Sequence, residues 1–225
     1  MTTQQQVIRT LLDQHGRTYA EEAGIRLADQ PGPLFQLLVL ASLLSARISA
    51  GVAVAAARAL FAAGYRTPAT MAQASWQDRI DALGRGHYRR YDERTSTMLG
   101  ETAQLCQAEL RGDLRRLRRE ADRDPAILRD RLTHFPGIGP VGADIFLREV
   151  QAVWPEFAPY FDQRTLDAAR DLHLPASADE LAGLVRPAQV PRLAAALVRV
   201  RLGRGTAQRI LAGAGSSGQR ARPVS

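Results

Sequence analysis

The segment Thr133–Phe146 reads THFPGIGPVGADIF, and its chemically useful part is backbone. Gly137 and Gly139 permit left-handed or bare conformations. Pro140 suits the first position of a following helix, where its missing N–H costs nothing. The amides of that first turn, with the helix dipole behind them, form an anion site. Gly142 and Ala143 would keep the surface low enough for a phosphate backbone to approach, while Ile145 and Phe146 are expected to point into the core. The alternative is an ordinary helical corner with no ligand. Side-chain nucleophiles are few. All 30 basic residues are arginine, so no lysine amine exists to form a Schiff base. The single cysteine, Cys106, excludes an intramolecular disulfide and any all-cysteine metal or iron–sulfur site. His87, His134 and His173 are too scattered to suggest a metal site. Asp162 stands just ahead of a helical run and reads as an N-cap.

The formal net charge of +7 is unevenly placed. Residues 1–180 hold 22 arginines against 23 acids, whereas residues 181–225 hold eight arginines and no acid. A one-sign block of this kind suits a polyanion such as nucleic acid, although arginine-rich composition alone would also give a basic tail. The run Arg115–Arg119 (RRLRR) lies among acids and reads as a solvated helix face.

The elements that must position these groups are helical almost throughout, with no strand-length alternation. Gln4–Gln14 has helical apolar spacing, and DQPGP (Asp29–Pro33) reads as a break. Leu34–Ala46 is apolar on nearly every face and is expected to be a buried central helix. Ser49 is placed to cap a helix that stops at Gly64, and Thr67-Pro68 and Asp124-Pro125 read as cap plus first residue of further helices. Gly84–Glu93 reads as an exposed turn, followed by a helix over Arg94–Leu110 with room to continue to Arg123. From Gly213 onward the composition is that of a disordered tail. The longest apolar stretch, Leu37–Leu44, is far too short to span a bilayer. Met1–Gln14 has no charged-then-apolar leader, so the expectation is a cytoplasmic, nucleoid-associated protein.

LTHFPGIGPVGAD resembles the helix–hairpin–helix motif of the endonuclease III-like DNA glycosylase superfamily, which combines a hairpin, a Gly/Pro-rich turn and a later aspartate. Here that aspartate is Asp162, at the end of WPEFAPYFD. PLFQLLVLASLLSARIS (Pro33–Ser49) is similar to the family's buried helix ending in Leu-Leu-Ser-Ala. TPATM, the Gly84–Tyr91 turn and Trp154-Pro155 follow in family order, so the likeness runs over roughly residues 5–175. It implies an all-α, two-lobed helical DNA glycosylase fold. A six-helix barrel domain (34–147, hairpin 128–147) would stand beside a second domain built from residues 1–33 and 148–212, with 213–225 as the disordered tail and DNA across the groove between the domains.

By the same resemblance, amides around Gly137, Gly139, Val141 and Gly142 would hold DNA phosphates. The main-chain carbonyls of Thr133, Phe135 and Ile138 would hold a monovalent cation, sodium or potassium. Arg47 would fill the gap left by an extruded base, and Tyr88, Tyr91 and Val141 would line the base pocket. Arg199, Arg201 and Arg204 would contact DNA where relatives carry an iron–sulfur cluster loop. Asp162 would activate water or stabilise the charge developing on the sugar; a carboxylate suits an oxocarbenium-like transition state because its attraction grows with that charge. Two departures matter. Val141 stands where bifunctional members carry lysine, which removes Schiff-base strand cleavage by any side chain and leaves only the N-terminal amine. Gln163-Arg164-Thr165 does not follow the family's common Thr-His pattern after the aspartate. The expected function is therefore a monofunctional DNA glycosylase of base excision repair. Its partner would be double-stranded DNA carrying a lesion or abasic site, and it would act as a monomer without cluster or membrane. The missing lysine and the lack of an obvious second acid lean toward alkylated purines. The rivals are a non-catalytic, structure-specific DNA-binding protein of the same fold and a helical protein-interaction module.

Overall fold

The computed structural model describes residues 3–203 and 205–219. Those residues form an all-α protein without strands. Its helices are α1 (Gln4–His15), α2 (Tyr19–Glu22), α3 (Pro31–Ser45), α4 (Ala50–Ala62), α5 (Pro68–Gln73), α6 (Trp76–Arg85), α7 (Asp92–Leu110), α8 (Arg115–Glu120), α9 (Pro125–Thr133), α10 (Pro140–Val150), α11 (Gln163–Asp171), α12 (Ala178–Gly183), α13 (Val190–Leu202) and α14 (Thr206–Gln219).

Local chemistry explains most boundaries. Ser49 Oγ accepts from the Val52 amide at 3.3 Å and starts α4. Thr67 and Thr70 form a capping box ahead of α5, with Pro68 in the first turn. Asp124 accepts from the Ala126 amide at 2.7 Å to start α9. DQPGP is less of a break than its prolines suggest, because α3 begins at Pro31, and prolines in a first turn forfeit no intrahelical bond. The helix from residue 92 does not run on to Arg123. Arg111 (φ 52°) and Gly112 (φ 76°) turn left-handed, and their amides close on the Cys106 carbonyl.

The chain divides into two compact units, residues 1–18 with 158–225, and residues 19–157. These boundaries correct the expected 33/34 and 147/148 divisions. Glu149, buried near the end of α10, accepts from the amides of Tyr19 and Ala20 at 3.0 Å each, which ties α2 to the middle of the chain. The Trp154 indole, fully buried, donates to Asp29 at 2.8 Å and packs against Phe146 and Phe157. Segments 19–33 and 148–157 therefore belong to the central unit.

In the central unit α3 is buried on nearly every face and packs on α4 and α10, while α7 packs on α5 and α6. Arg79, also buried, donates to the carbonyls of Met71, Ala74 and Ser96 and so joins the end of α5 to α7. In the other unit, α13 packs on α1, α11 and α14 around Leu11, Leu193, Ala194 and Leu197. The expected disordered tail is corrected as far as Gln219, because Thr206–Gln219 is a helix with Ile210 and Ala214 fully buried. Its small residues mark close packing: a Cβ on Gly213 would stand 3.6 Å from Thr10 of α1. Residues 220–225 lie outside the described residues.

Candidate functional site

The hairpin is held from three sides. Arg129 of α9 and Asp144 of α10 are paired at 2.6 Å. Phe135 and Ile138 are buried beneath the turn, and the Ile138 amide donates to the Phe135 carbonyl at 3.0 Å. From α7, the Thr102 hydroxyl donates to the Pro136 carbonyl at 2.9 Å. Ile145 and Phe146 are buried, as their sequence pattern predicts.

The two turn glycines do different work. Gly137 is left-handed (φ 78°), and a Cβ there would meet Met98 Sδ at 3.0 Å and Ser42 Oγ at 3.2 Å. Gly139 has ordinary extended backbone (φ −91°, ψ −173°), is exposed, and would meet nothing within 4 Å. It is the N-cap of α10, with Pro140 next and the first intrahelical bond from Ala143 N–H to the Gly139 carbonyl at 3.0 Å. Ahead of that bond, the amides of Val141 and Gly142 have no intrahelical acceptor, as at any helix start. The reason expected for Gly142 is corrected. It is buried, and its missing side chain faces Ile138 and Ser45 at 3.4–3.6 Å, so it serves packing of α10 on α3 rather than a low outer surface.

Beside the turn lies a cavity of about 390 Å³, lined by Ser42, Ser45, Arg47, Tyr91, Arg94 and Met98, with Ala46, Tyr88, Thr95 and Gly137 completing it. Three features far apart in sequence thus meet: the hairpin glycine, the residue after Leu-Leu-Ser-Ala, and the tyrosines ahead of α7. Tyr88 is a wall residue, 1 % exposed, with its hydroxyl 2.9 Å from that of Thr95. Burial pushes the phenol's pKa up, against the smaller effect of the Thr95 hydrogen bond, so it remains neutral. Tyr91 is 41 % exposed and left-handed (φ 72°), an unusual conformation for an aromatic residue, and the Arg90 guanidinium lies 4.9 Å from its ring centroid. Val141, expected to share the base pocket, is not among the described lining residues.

In the other unit, Asp162 is the N-cap of α11 and is 9 % exposed. Its Oδ1 accepts from the Thr165 amide at 3.0 Å, while the Thr165 hydroxyl donates to the Asp162 carbonyl at 2.7 Å. The basic C-terminal segment is partly structural. Arg192 donates to the Gly16 carbonyl and Arg199 to the Arg17 carbonyl, both at 2.9 Å, so two arginines satisfy carbonyls following α1. Arg201 lies 3.9 Å from Asp171 with about half its side chain exposed, and Arg204 lies outside the described residues. RRLRR is an ion-pair face: Arg115 pairs with Asp113, and Arg118 with Glu156 and Asp29.

No protein-family model and no curated protein matches the chain. Among solved structures, the chain is similar to an endonuclease III trapped as a covalent DNA intermediate in an estranged-adenine complex. The two share 17 % identity over 87 % of this chain and 85 % of that one, with a TM-score of 0.47. At that level the likeness adds nothing to what the residues themselves establish.

Sequence reasoning missed Ser42, Ser45, Arg94, Thr95 and Met98. A signal existed: Tyr91, Arg94, Thr95 and Met98 stand at i, i+3, i+4 and i+7, and Ser42, Ser45 and Ala46 at i, i+3 and i+4. Each set forms one helix face. Only the fold brings the two faces together.

Proposed function

We propose that this protein is a monofunctional DNA glycosylase of base excision repair. It hydrolyses the N-glycosidic bond of a damaged or mismatched base in double-stranded DNA and leaves an abasic site without cleaving the strand. The observation that carries this reading is the convergence of Gly137, Arg47, Tyr88 and Tyr91 on one cavity beside a glycine-pinned helix start. An enzyme acting on a base must extrude it and read it in a pocket, and about 390 Å³ lies within the usual range for a small-molecule site.

In this reading the Val141 and Gly142 amides hold a backbone phosphate through charge-assisted hydrogen bonds. Arg47, exposed at the cavity rim, occupies the space the base leaves. Tyr91 offers its ring for stacking. Asp162 supplies the carboxylate that takes a proton from water and attracts the cationic sugar. With no lysine in the sequence, no side-chain amine is present for Schiff-base strand cleavage, which supports hydrolysis as the reaction. In this reading the main-chain carbonyls of Thr133, Phe135 and Ile138 would hold a monovalent cation, since neutral oxygens suit a hard ion. The Phe135 carbonyl already accepts one amide, which leaves it a second lone pair. When bound, the ion would stiffen the turn.

The test is a single-turnover assay on a panel of lesion-bearing duplexes, read after hot alkali, with borohydride trapping in parallel. Base release without a trapped adduct is expected. Asp162→Asn keeps an equally good cap and so should fold normally, retain DNA affinity and lose base release. Full activity in that variant would remove Asp162 from the mechanism. The second reading, a non-catalytic structure-specific DNA-binding protein, is favoured by the engagement of Asp162 as a cap. It predicts salt-dependent DNA binding with no base released from any duplex.

A further inference from the structure

The charge lining the cavity distinguishes classes of base. Among the described residues its wall holds two guanidiniums, Arg47 and Arg94, five hydroxyls, from Ser42, Ser45, Tyr88, Tyr91 and Thr95, and no carboxylate. The Tyr88 and Thr95 hydroxyls are bonded to each other at 2.9 Å, and the Ser45 hydroxyl donates to the Ser42 carbonyl at 2.7 Å. Arg47 and Arg94 are exposed, and no described carboxylate forms an ion pair with either. Arg90, over the Tyr91 ring, adds a third positive charge near the rim.

Resting on the glycosylase reading, we propose that this cavity takes a neutral base bearing ring carbonyl oxygens, a pyrimidine-2,4-dione or a 6-oxopurine. Arg94 is the group that stabilises the negative charge such a base acquires as it leaves. When the bond between C1′ and the base nitrogen breaks, its electron pair goes to the base and spreads onto the ring carbonyl oxygens. The sugar is left cationic. Water adds its oxygen to C1′, its proton passes to the hydrolytic carboxylate, and the base anion is protonated from solvent. A guanidinium beside the base attracts the departing anion more strongly than the neutral base that entered, so it lowers the barrier rather than merely tightening binding. An alkylated purine reverses this logic. It enters as a cation, which the arginines repel, and it leaves neutral, so the arginines gain nothing as the bond breaks. The lack of a second acid, which leaned toward alkylated purines, is met instead by fixed positive charge.

Single-turnover excision from duplexes carrying uracil, 5-fluorouracil, hypoxanthine or 7-methylguanine tests this. The neutral bases should be released faster than 7-methylguanine. Arg94→Gln should slow uracil release by about 100-fold, the typical effect of losing one charge-stabilising donor. The loss should be smaller for 5-fluorouracil, whose anion is intrinsically more stable; a purely structural role for Arg94 would slow both equally. Preferential release of 7-methylguanine, or equal loss on the two pyrimidines, overturns the proposal. Should no duplex release a base, the glycosylase reading itself fails. The cavity's preference then still shows in the affinity for uncleavable 2′-fluoro duplexes. Tighter binding of hypoxanthine than of 7-methylguanine supports the assignment, and the reverse order overturns it.

Discussion

Gly137 and Gly139 give the sharpest test of the hairpin, because they look alike in sequence and differ in structure. Gly137→Ala would force an alanine to φ 78° and set its Cβ 3.0 Å from Met98 Sδ and 3.2 Å from Ser42 Oγ. The left-handed backbone alone costs about 1–2 kcal/mol. Met98 is flexible and yields a few tenths of an ångström, so the crowding adds less than a typical overpacked core, which costs about 1–3 kcal/mol. A total near 2 kcal/mol lowers the melting temperature by about 4–8 °C for a chain of this size. Gly139→Ala adds a methyl at φ −91° with nothing within 4 Å, so its stability should match the parent. That methyl stands at the exposed start of α10, however, and should weaken DNA binding by about 2–12-fold, the worth of one hindered hydrogen bond. Thermal melts followed by circular dichroism, together with fluorescence anisotropy on an abasic-analogue duplex at fixed salt, read both quantities. A Gly137→Ala protein as stable as the parent, or a Gly139→Ala protein as unstable as Gly137→Ala, refutes the reasoning.

Tyr91→Ala should weaken binding to lesion-bearing duplex by about 1–3 kcal/mol, the worth of one base–aromatic stack, with little change in melting temperature. Tyr88→Phe should do the opposite, costing about 1 kcal/mol of stability through loss of the buried bond to Thr95; a competition assay and a melt separate them. Burial is the largest single effect on Glu156 and raises its pKa, but the Arg118 hydrogen bonds, a backbone hydrogen bond and the charges of Arg118 and Arg123 together lower it more, so its folded pKa lies below the ordinary glutamate value. Its stabilising contribution is therefore full above the unfolded pKa and disappears as pH falls through the folded one. The melting-temperature gap between parent and Glu156→Gln should be open at neutral pH and closed in strong acid; a gap unchanged in acid refutes the pairing. Burial, with Asp113 nearby, pushes the Cys106 thiol up to about 12, and its side chain is fully enclosed. Iodoacetamide should label it only as fast as the central unit opens, so fast labelling under native conditions would contradict that packing.

Where the chain's own local chemistry decides the outcome, the sequence sufficed. The all-helical class, the caps at Ser49, Thr67 and Asp124, the buried α3, the hairpin turn and the impossibility of lysine or multi-cysteine chemistry all follow from residue type and short-range spacing. Tertiary structure decided whatever depends on what lies opposite. It distinguished Gly137 from Gly139, because only Gly137 is held left-handed (φ 78°) with Met98 and Ser42 packed against it. It moved segments 19–33 and 148–157 into the central unit, because Glu149 and Trp154 find their partners across more than a hundred residues of chain. It turned an apparently disordered tail into a helix as far as Gln219, because alanine and glycine fit closely against α1. It also assembled the cavity from faces of α3 and α7 whose own periodicity says nothing about each other. Helical spacing shows which residues share a face, but which faces meet is a property of packing.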